Sequence, residues 1–270
     1  MPELPEVETI VRGLAPALDG RIVREVVVRE PRLRVTLASD FATRLGGRRL
    51  GTMRRLGKYM LTPLDDGRVW LVHLGMTGRL TLAGARPLPL VHDHVVLRLD
   101  DQRTLTYNDP RRFGRLDVLE PGAVPGVVGP GVDALDDALS AAWLFARSRK
   151  RRTSVKALLM DQRQVAGLGN IYVSELLFRA GVRPRRRAAL LTRDECTRIV
   201  EAMRAVLGEA IGRGGSSISD YRDGFDQAGS FQDEHLVYDR AGEPCRRCGG
   251  PIKGVVVVGR STFYCPRCQR

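Results

Sequence analysis

The stretch Pro121-Gly-Ala-Val-Pro-Gly-Val-Val-Gly-Pro-Gly-Val132 divides this chain. Glycine and proline punctuate it every few residues, and its other side chains are small or β-branched. Neither a sustained helix nor a strand register is written into such a segment, and it reads as a linker and hinge. On its N-terminal side lie short β-rich runs: Ile22 to Val28, Tyr59 to Leu64, Val69 to Leu74, Val95 to Leu99 and Leu116 to Leu119. Asp65-Asp66-Gly67 and Asp100-Asp101 supply turn signals between them. Short strands at this spacing predict a β-sandwich or flattened barrel. One helix precedes them, over 5–18, where Val7, Ile10, Val11, Leu14 and Leu18 recur at helical spacing.

On the C-terminal side helices dominate. Asp136 to Ala146, Val155 to Met160 and Ile171 to Ala180 are three. A fourth opens at Thr192 with Glu195 three residues later, a capping box. It carries Ile199, Met203, Leu207 and Ile211 on one face and stops at Gly214-Gly215. A polar loop runs to about residue 230, and the remainder reads as a small β unit. The expected domains are 1–120, a linker at 121–134, then 135–230 and 231–270.

The composition suits globular cores, with 43% hydrophobic residues over 270. Forty-four Lys and Arg against 31 Asp and Glu leave a formal charge of +13, which points to a polyanionic partner, nucleic acid first. The arginines cluster at Arg54-Arg55, Arg111-Arg112, Arg147 to Arg152 and Arg183 to Arg187. No apolar run reaches membrane-spanning length, and the acidic, amphipathic N-terminus does not read as a signal peptide. A cytosolic monomer without membrane attachment is expected.

Of five cysteines, four form Cys245-x2-Cys248 and Cys265-x2-Cys268. Two such pairs suit a tetrahedral zinc held on two knuckles of a hairpin. All four positions are filled by protein, so the single ion is expected to be structural. Arg246, Arg247, Arg260 and Arg267 surround it and would turn a basic hairpin toward a phosphate backbone. Cys196 lies in an amphipathic helix and reads as a small packed residue.

The first residues, Met1-Pro-Glu-Leu-Pro-Glu-Val-Glu8, carry a chemical possibility. Removal of Met1 would leave Pro2 as a free secondary amine, which forms a charged iminium with an aldehyde-like carbon. Glu3 and Glu6 stand close enough in sequence to move protons for it. Other motifs are less specific. Gly167-Leu-Gly-Asn170 is a tight turn into a helix, whose N-terminus favours phosphate. It lacks the glycine pattern of a dinucleotide fold, and no nucleotide cofactor is expected. In Asn108-Asp-Pro-Arg111-Arg112-Phe113-Gly114 the phenylalanine is either an exposed wedge for a base stack or a buried strand residue. Met76, at a turn tip in His73-Leu-Gly-Met76, reads as core. Lys58 reads as a solvated turn lysine, and His92 with His94 makes a poor metal site without a third ligand.

Taken together, the N-terminal octet, His-Leu-Gly-Met-x-Gly, Asp-Pro-Arg-Arg-Phe-Gly, Gly-x-Gly-Asn-Ile-Tyr and the four-cysteine finger closely resemble the formamidopyrimidine-DNA glycosylases. These bacterial enzymes remove 8-oxoguanine and ring-opened purines from DNA, and the motifs occur in family order over essentially the whole chain. The resemblance implies an α+β chain: a helix on a β-sandwich, a helix-two-turn-helix domain and a zinc-finger hairpin, with damaged double-stranded DNA in a basic cleft between the halves. It implies a bifunctional glycosylase and apurinic-site lyase, with Pro2 as nucleophile, Glu3 as acid/base, Glu6 as a second helper and Lys58 beside the lesion phosphate. Met76, Arg111 and Phe113 would fill the gap left by the everted nucleotide, with Arg111 addressing the orphaned cytosine. His92, Lys156, Asn170 and Arg260 would grip phosphates, and the loop 216–230 would close over the flipped base. The related endonuclease VIII group, directed at oxidised pyrimidines, shares the Pro-Glu start; Leu4 and Phe113 favour the purine branch. A non-catalytic zinc-finger DNA-binding protein on the same scaffold is the alternative from another class.

Overall fold

The computed structural model describes the chain except residues 86–89 and 219–220. The described residues form two compact units, 1–128 with 213–230, and 129–212 with 231–270. The 213–230 loop thus belongs with the N-terminal unit, whereas the sequence reading ran it on from the helices at 135–212. The physical reason lies in its contacts, set out below.

The N-terminal unit starts with helix α1, Leu4–Leu18. Pro5 in its first turn lacks an N–H that the helix could not use anyway, and Glu3 with Glu6 forms a reciprocal capping box. Two antiparallel four-stranded sheets follow. One has the order β1 (Val23–Val28), β6 (Asp93–Leu99), β7 (Thr104–Asn108), β5 (Arg79–Ala83). The other has the order β2 (Arg54–Leu56), β3 (Tyr59–Pro63), β4 (Val69–His73), β8 (Arg115–Leu119). Strand side chains alternate between faces. In β4, Trp70 and Val72 therefore enter the main core with α1 residues Val7, Ile10 and Leu14. Val69 and Leu71 enter a second cluster with Leu61 and Leu119. A short helix α2, Phe41–Leu45, contributes Phe41 and Leu45 to the main core.

The second cluster explains the fate of the Gly/Pro-rich stretch. Its residues Val124–Val128 form a short helix α3, and Val124, Val127 and Val128 pack on that cluster. Val132–Asp133 (β9) pairs in parallel with Val165–Ala166 (β10). Burial of its valines gives the segment structure that its local composition does not encode.

In the second unit, α4 (Ala141–Ser148) begins five residues later than its periodicity suggests, because the Ser140 hydroxyl caps it by accepting the Trp143 N–H at 3.1 Å. Helices α5 (Val155–Met160) and α6 (Asn170–Arg179) flank the turns at 161–169. Helix α7, Arg193–Gly212, buries Cys196, Ile199, Met203, Val206 and Leu207, and the Thr192/Glu195 box opens it as expected. The unit closes with the hairpin β11 (Lys253–Val257) and β12 (Arg260–Tyr264).

Candidate active site and nucleic-acid interface

The N-terminus of α1 organises the site of the first unit. Pro2, Glu3 and Glu6 are buried there. The Glu3 backbone N–H donates to Glu6 Oε2 at 2.8 Å, and the Ser216 N–H donates to Glu6 Oε1 at 2.8 Å. Tyr221 adds a bond from its hydroxyl to the Glu6 carbonyl, 3.2 Å. These contacts bind the 213–230 loop to this unit. Gly215 is required beside them: its φ is +82°, and a Cβ would stand 2.8 Å from Glu6 Oε1. With each oxygen accepting a backbone N–H, the carboxylate acts as a strut between the helix start and the loop. Residues 219–220 of the loop expected to close over a base lie outside the described residues.

Lys58 sits in the two-residue turn joining β2 and β3, after Gly57 at φ +58°. It is buried and not the solvated turn lysine that composition suggests. Arg55 fastens this turn to α1: its Nε donates to Glu8 Oε2 at 2.7 Å and its Nη1 to the Gly57 carbonyl at 3.0 Å. The chain's terminal amine has its pKa lowered by burial; Glu3 and Glu6 oppose the shift, and Lys58 and Arg111 reinforce it. His73 ends β4 opposite Tyr59, with ring centroids 4.8 Å apart, and its Nδ1 accepts the Gly75 N–H at 3.1 Å. Burial, then the charges of Lys58, Arg34 and Arg115, push its pKa down to about 4, so it is neutral at physiological pH.

Two turns next to each other carry the proposed wedge residues. Met76 is 37% exposed and Phe113 41% exposed, which decides against a buried strand phenylalanine and a core methionine. The Arg111 guanidinium lies 4.6 Å from the centre of the Phe113 ring. His92 is exposed at φ +68°, just before β6, while His94 is buried and donates from Nε2 to the Asp109 carbonyl at 2.7 Å. The two rings nevertheless meet edge to face, with centroids 6.3 Å apart, so only His92 is open to a partner.

In the second unit the four cysteine Sγ atoms lie within 4.8 Å of one another. Cys245 and Cys268 are 3.9 Å apart and Cys248 and Cys265 are 3.5 Å apart. A zinc with Zn–S bonds near 2.3 Å needs tetrahedral S–S edges of about 3.8 Å, so this cage fits the ion. The Arg247 and Cys268 N–H groups point at Cys245 Sγ and Cys265 Sγ, both at 3.4 Å, the outer-shell donors that orient thiolates.

Lys156 is corrected by its surroundings. It is 1% exposed, and its ammonium donates to Asn170 Oδ1 at 2.6 Å and Thr262 Oγ1 at 2.8 Å, with Ser174 Oγ and the Ser261 carbonyl at 3.4 Å. It is an internal post rather than a surface phosphate grip. Asn170, first residue of α6, also donates from Nδ2 to the Ser261 carbonyl at 2.8 Å, next to the exposed Arg260. Lys156 thus joins α5, the start of α6 and the finger hairpin, and holds Asn170 and Arg260 in one neighbourhood.

Comparison with known proteins agrees with this arrangement. Residues 1–116 match the formamidopyrimidine-DNA glycosylase N-terminal domain, 130–222 its H2TH domain, and 242–270 the zinc finger found in FPG and IleRS. The chain belongs to the formamidopyrimidine-DNA glycosylase family. The formamidopyrimidine-DNA glycosylases of Cereibacter sphaeroides and Thiobacillus denitrificans are each 47% identical to it, over the full length of both chains. The crystal structure of the Thermus thermophilus MutM (Fpg) protein superposes with a TM-score of 0.88 at 42% identity, covering 99% of this chain and 98% of that one. Wild-type Lactococcus lactis Fpg, solved with an N7-benzyl-Fapy-dG containing DNA, gives 0.90 at 31% identity over all of both chains.

As in other formamidopyrimidine-DNA glycosylases, then, the C-terminal finger holds one structural zinc on Cys245, Cys248, Cys265 and Cys268. Three polar groups beside these residues carry little signal in the sequence. His73 was visible only as a strand end, although it stands in the same motif as Met76. The Ser216 amide is a backbone group with no signature. Asp109 has the composition of a turn residue, yet it is fully buried.

Proposed function

We propose that this protein is a base-excision DNA repair enzyme that removes 8-oxoguanine and formamidopyrimidines from double-stranded DNA and cleaves the resulting abasic site. The observation that carries this reading is the N-terminal cluster, in which Pro2, Glu3 and Lys58 are buried around one amine in a chain of this family.

Loss of Met1 exposes the Pro2 nitrogen as the nucleophile. A damaged base must first leave the stack, at a cost of a few kcal/mol. Met76, Arg111 and Phe113 fill the space it vacates, and Arg111 faces the orphaned cytosine. The Pro2 nitrogen then bonds to C1′ of the deoxyribose as the bond from C1′ to the base breaks. Glu3 serves the proton transfers of sugar-ring opening, and an iminium joins protein and DNA. The charged nitrogen acidifies the C2′ protons; loss of one expels the 3′ phosphate, and a second elimination expels the 5′ phosphate. Lys58 neutralises the phosphate beside the lesion, and His92, Asn170 and Arg260 hold neighbouring phosphates.

Borohydride reduction during turnover of an 8-oxoguanine:cytosine duplex tests this directly. A covalent adduct through Pro2, in protein shown by mass spectrometry to lack Met1, is expected. No adduct would leave a DNA-binding protein without this chemistry, and cleavage of a thymine glycol duplex alone would place the protein in the pyrimidine-directed group.

A further inference from the structure

Asp109 has no part in the chemistry above, yet it is fully buried and both of its carboxylate oxygens are bonded. Oδ1 accepts the Thr77 hydroxyl at 2.6 Å. Oδ2 accepts the Tyr107 hydroxyl at 3.1 Å and the Gly114 N–H at 2.9 Å. Its carbonyl accepts His94 Nε2 at 2.7 Å and the Arg112 N–H at 3.2 Å. Thr77 Oγ1 in turn accepts the Arg111 N–H at 3.4 Å.

These anchors are not scattered. Thr77 follows Met76 and Gly114 follows Phe113 directly in sequence, so each oxygen of one carboxylate grips the residue behind one exposed wedge side chain. We infer that Asp109 is the positioning residue of the wedge, locking the Met76 turn and the Arg111–Phe113 turn into a single rigid piece. The inference rests on the reading of those three residues as the ones that fill the vacated stack.

Sterics point the same way. A Cβ on Gly75 would stand 2.4 Å from the Phe113 carbonyl carbon, so the two turns meet backbone to backbone. A Cβ on Gly78 would lie 2.7 Å from the Tyr107 hydroxyl and one on Gly114 only 1.7 Å from it. Both turns are therefore seated on the one phenol that Asp109 holds. Burial, with the Asp109 charge beside it, raises the Tyr107 pKa well above the ordinary range, so the phenol stays a donor at every working pH. A wedge has to be in place when the base leaves, because ordering it at that moment would add to the cost of eversion. A carboxylate bonded to both turns removes that cost beforehand.

The test separates eversion from amine chemistry. Asp109→Asn puts an amide where one oxygen accepts, and Thr77→Val removes the Met76-side donor while keeping shape; Thr77→Ser restores it. Three measurements are made on each full-length, zinc-loaded protein: single-turnover excision from an 8-oxoguanine:cytosine duplex, stopped-flow fluorescence of 2-aminopurine beside the lesion, and borohydride trapping on a single-stranded abasic oligonucleotide, which needs no eversion. Excision and the 2-aminopurine step should both slow by about tenfold or more in Asp109→Asn and Thr77→Val, recover in Thr77→Ser, and leave trapping within about twofold of wild type. Trapping that falls in parallel with excision overturns the inference, because the whole site would then have been damaged. So does excision that stays within about twofold of wild type in Thr77→Val. Wild-type protein that neither excises nor traps would instead sink the underlying repair reading, and the inference with it.

Discussion

Glu6 and Ser216 stand 210 positions apart in the chain and are joined by a 2.8 Å hydrogen bond from the Ser216 N–H to Oε1 of Glu6. Because Oε2 of the same carboxylate accepts the Glu3 N–H, the residue after Pro2 and the start of the 213–230 loop share one anchor. Glu6→Gln sets an amide N–H against one of these donors and should weaken the link by about 1–3 kcal/mol. Hydrogen exchange at 213–218 is expected to accelerate at least tenfold, with 8-oxoguanine excision falling alongside. Unchanged protection of the Ser216 amide would show that something else holds the loop.

The terminal amine is shifted downward, chiefly by burial. A lowered pKa means that the neutral, nucleophilic form persists to lower pH. Pro2 is itself buried, and burial disfavours the charged form of an amine, so the acid limb of borohydride trapping by protein lacking Met1 should be centred below the ordinary value of about 8. Lys58→Gln removes a like charge that helps lower it and should move that limb upward, besides slowing the reaction. A limb at the ordinary value in wild type would contradict the burial argument.

Lys156 and Arg260 are distinguished by salt. Replacing an arginine that contacts a phosphate reduces the dependence of log K on log salt concentration by about 0.9. Arg260→Ala is expected to show that change with little effect on Tm. Lys156→Met should leave the slope intact and cost about 2–4 kcal/mol of stability, since Asn170, Thr262 and the Ser261 carbonyl lose a buried partner. Calorimetry and binding titrations at several salt concentrations check both.

His73 makes stability depend on pH. Its folded pKa, about 4, lies below the unfolded value near 6.5, so on acidification the unfolded chain takes up the proton first. The contribution is complete above about pH 6.5 and is lost progressively toward pH 4. His235, pushed to about 4 chiefly by burial, acts in the same direction. His73→Asn should flatten part of the fall in Tm over that window, and an unaltered slope would refute the assignment.

Zinc removal has a local signature. Cys248→Ser should lower the metal content below one ion per chain and expose the β11–β12 hairpin to exchange, because structural zinc contributes directly to folding. Protection of the hairpin that survives metal loss would contradict this.

Much of this was legible in the residues because the signals were local. The α5 helix and the Thr192 capping box follow from spacing over a few positions, and the four cysteines need only their own intervals. What escaped depended on partners distant in sequence. Lys156 reads as one more cation in a basic chain, and only the acceptors on α6 and β12 make it internal. The α1 helix follows from its period, but its capping box uses glutamates at both ends, and Glu is not a usual N-cap residue. The Ser140 cap is masked in the sequence because the hydrophobic period continues upstream of it. The valines of 124–128 look like linker until the outer face of the second sheet is found to be apolar.

The return of 213–230 to the first unit bears on the order in which this protein is made. Domains emerging from the ribosome usually fold N-terminal first. Here the first 128 residues cannot finish: Glu6 lacks the Ser216 amide, and the core lacks Tyr221, until most of the chain has been synthesised. Pro2 is buried in the finished unit. The surroundings of the amine are thus completed only when a segment more than 200 residues downstream has been made, while Met1 itself stays exposed in the finished unit.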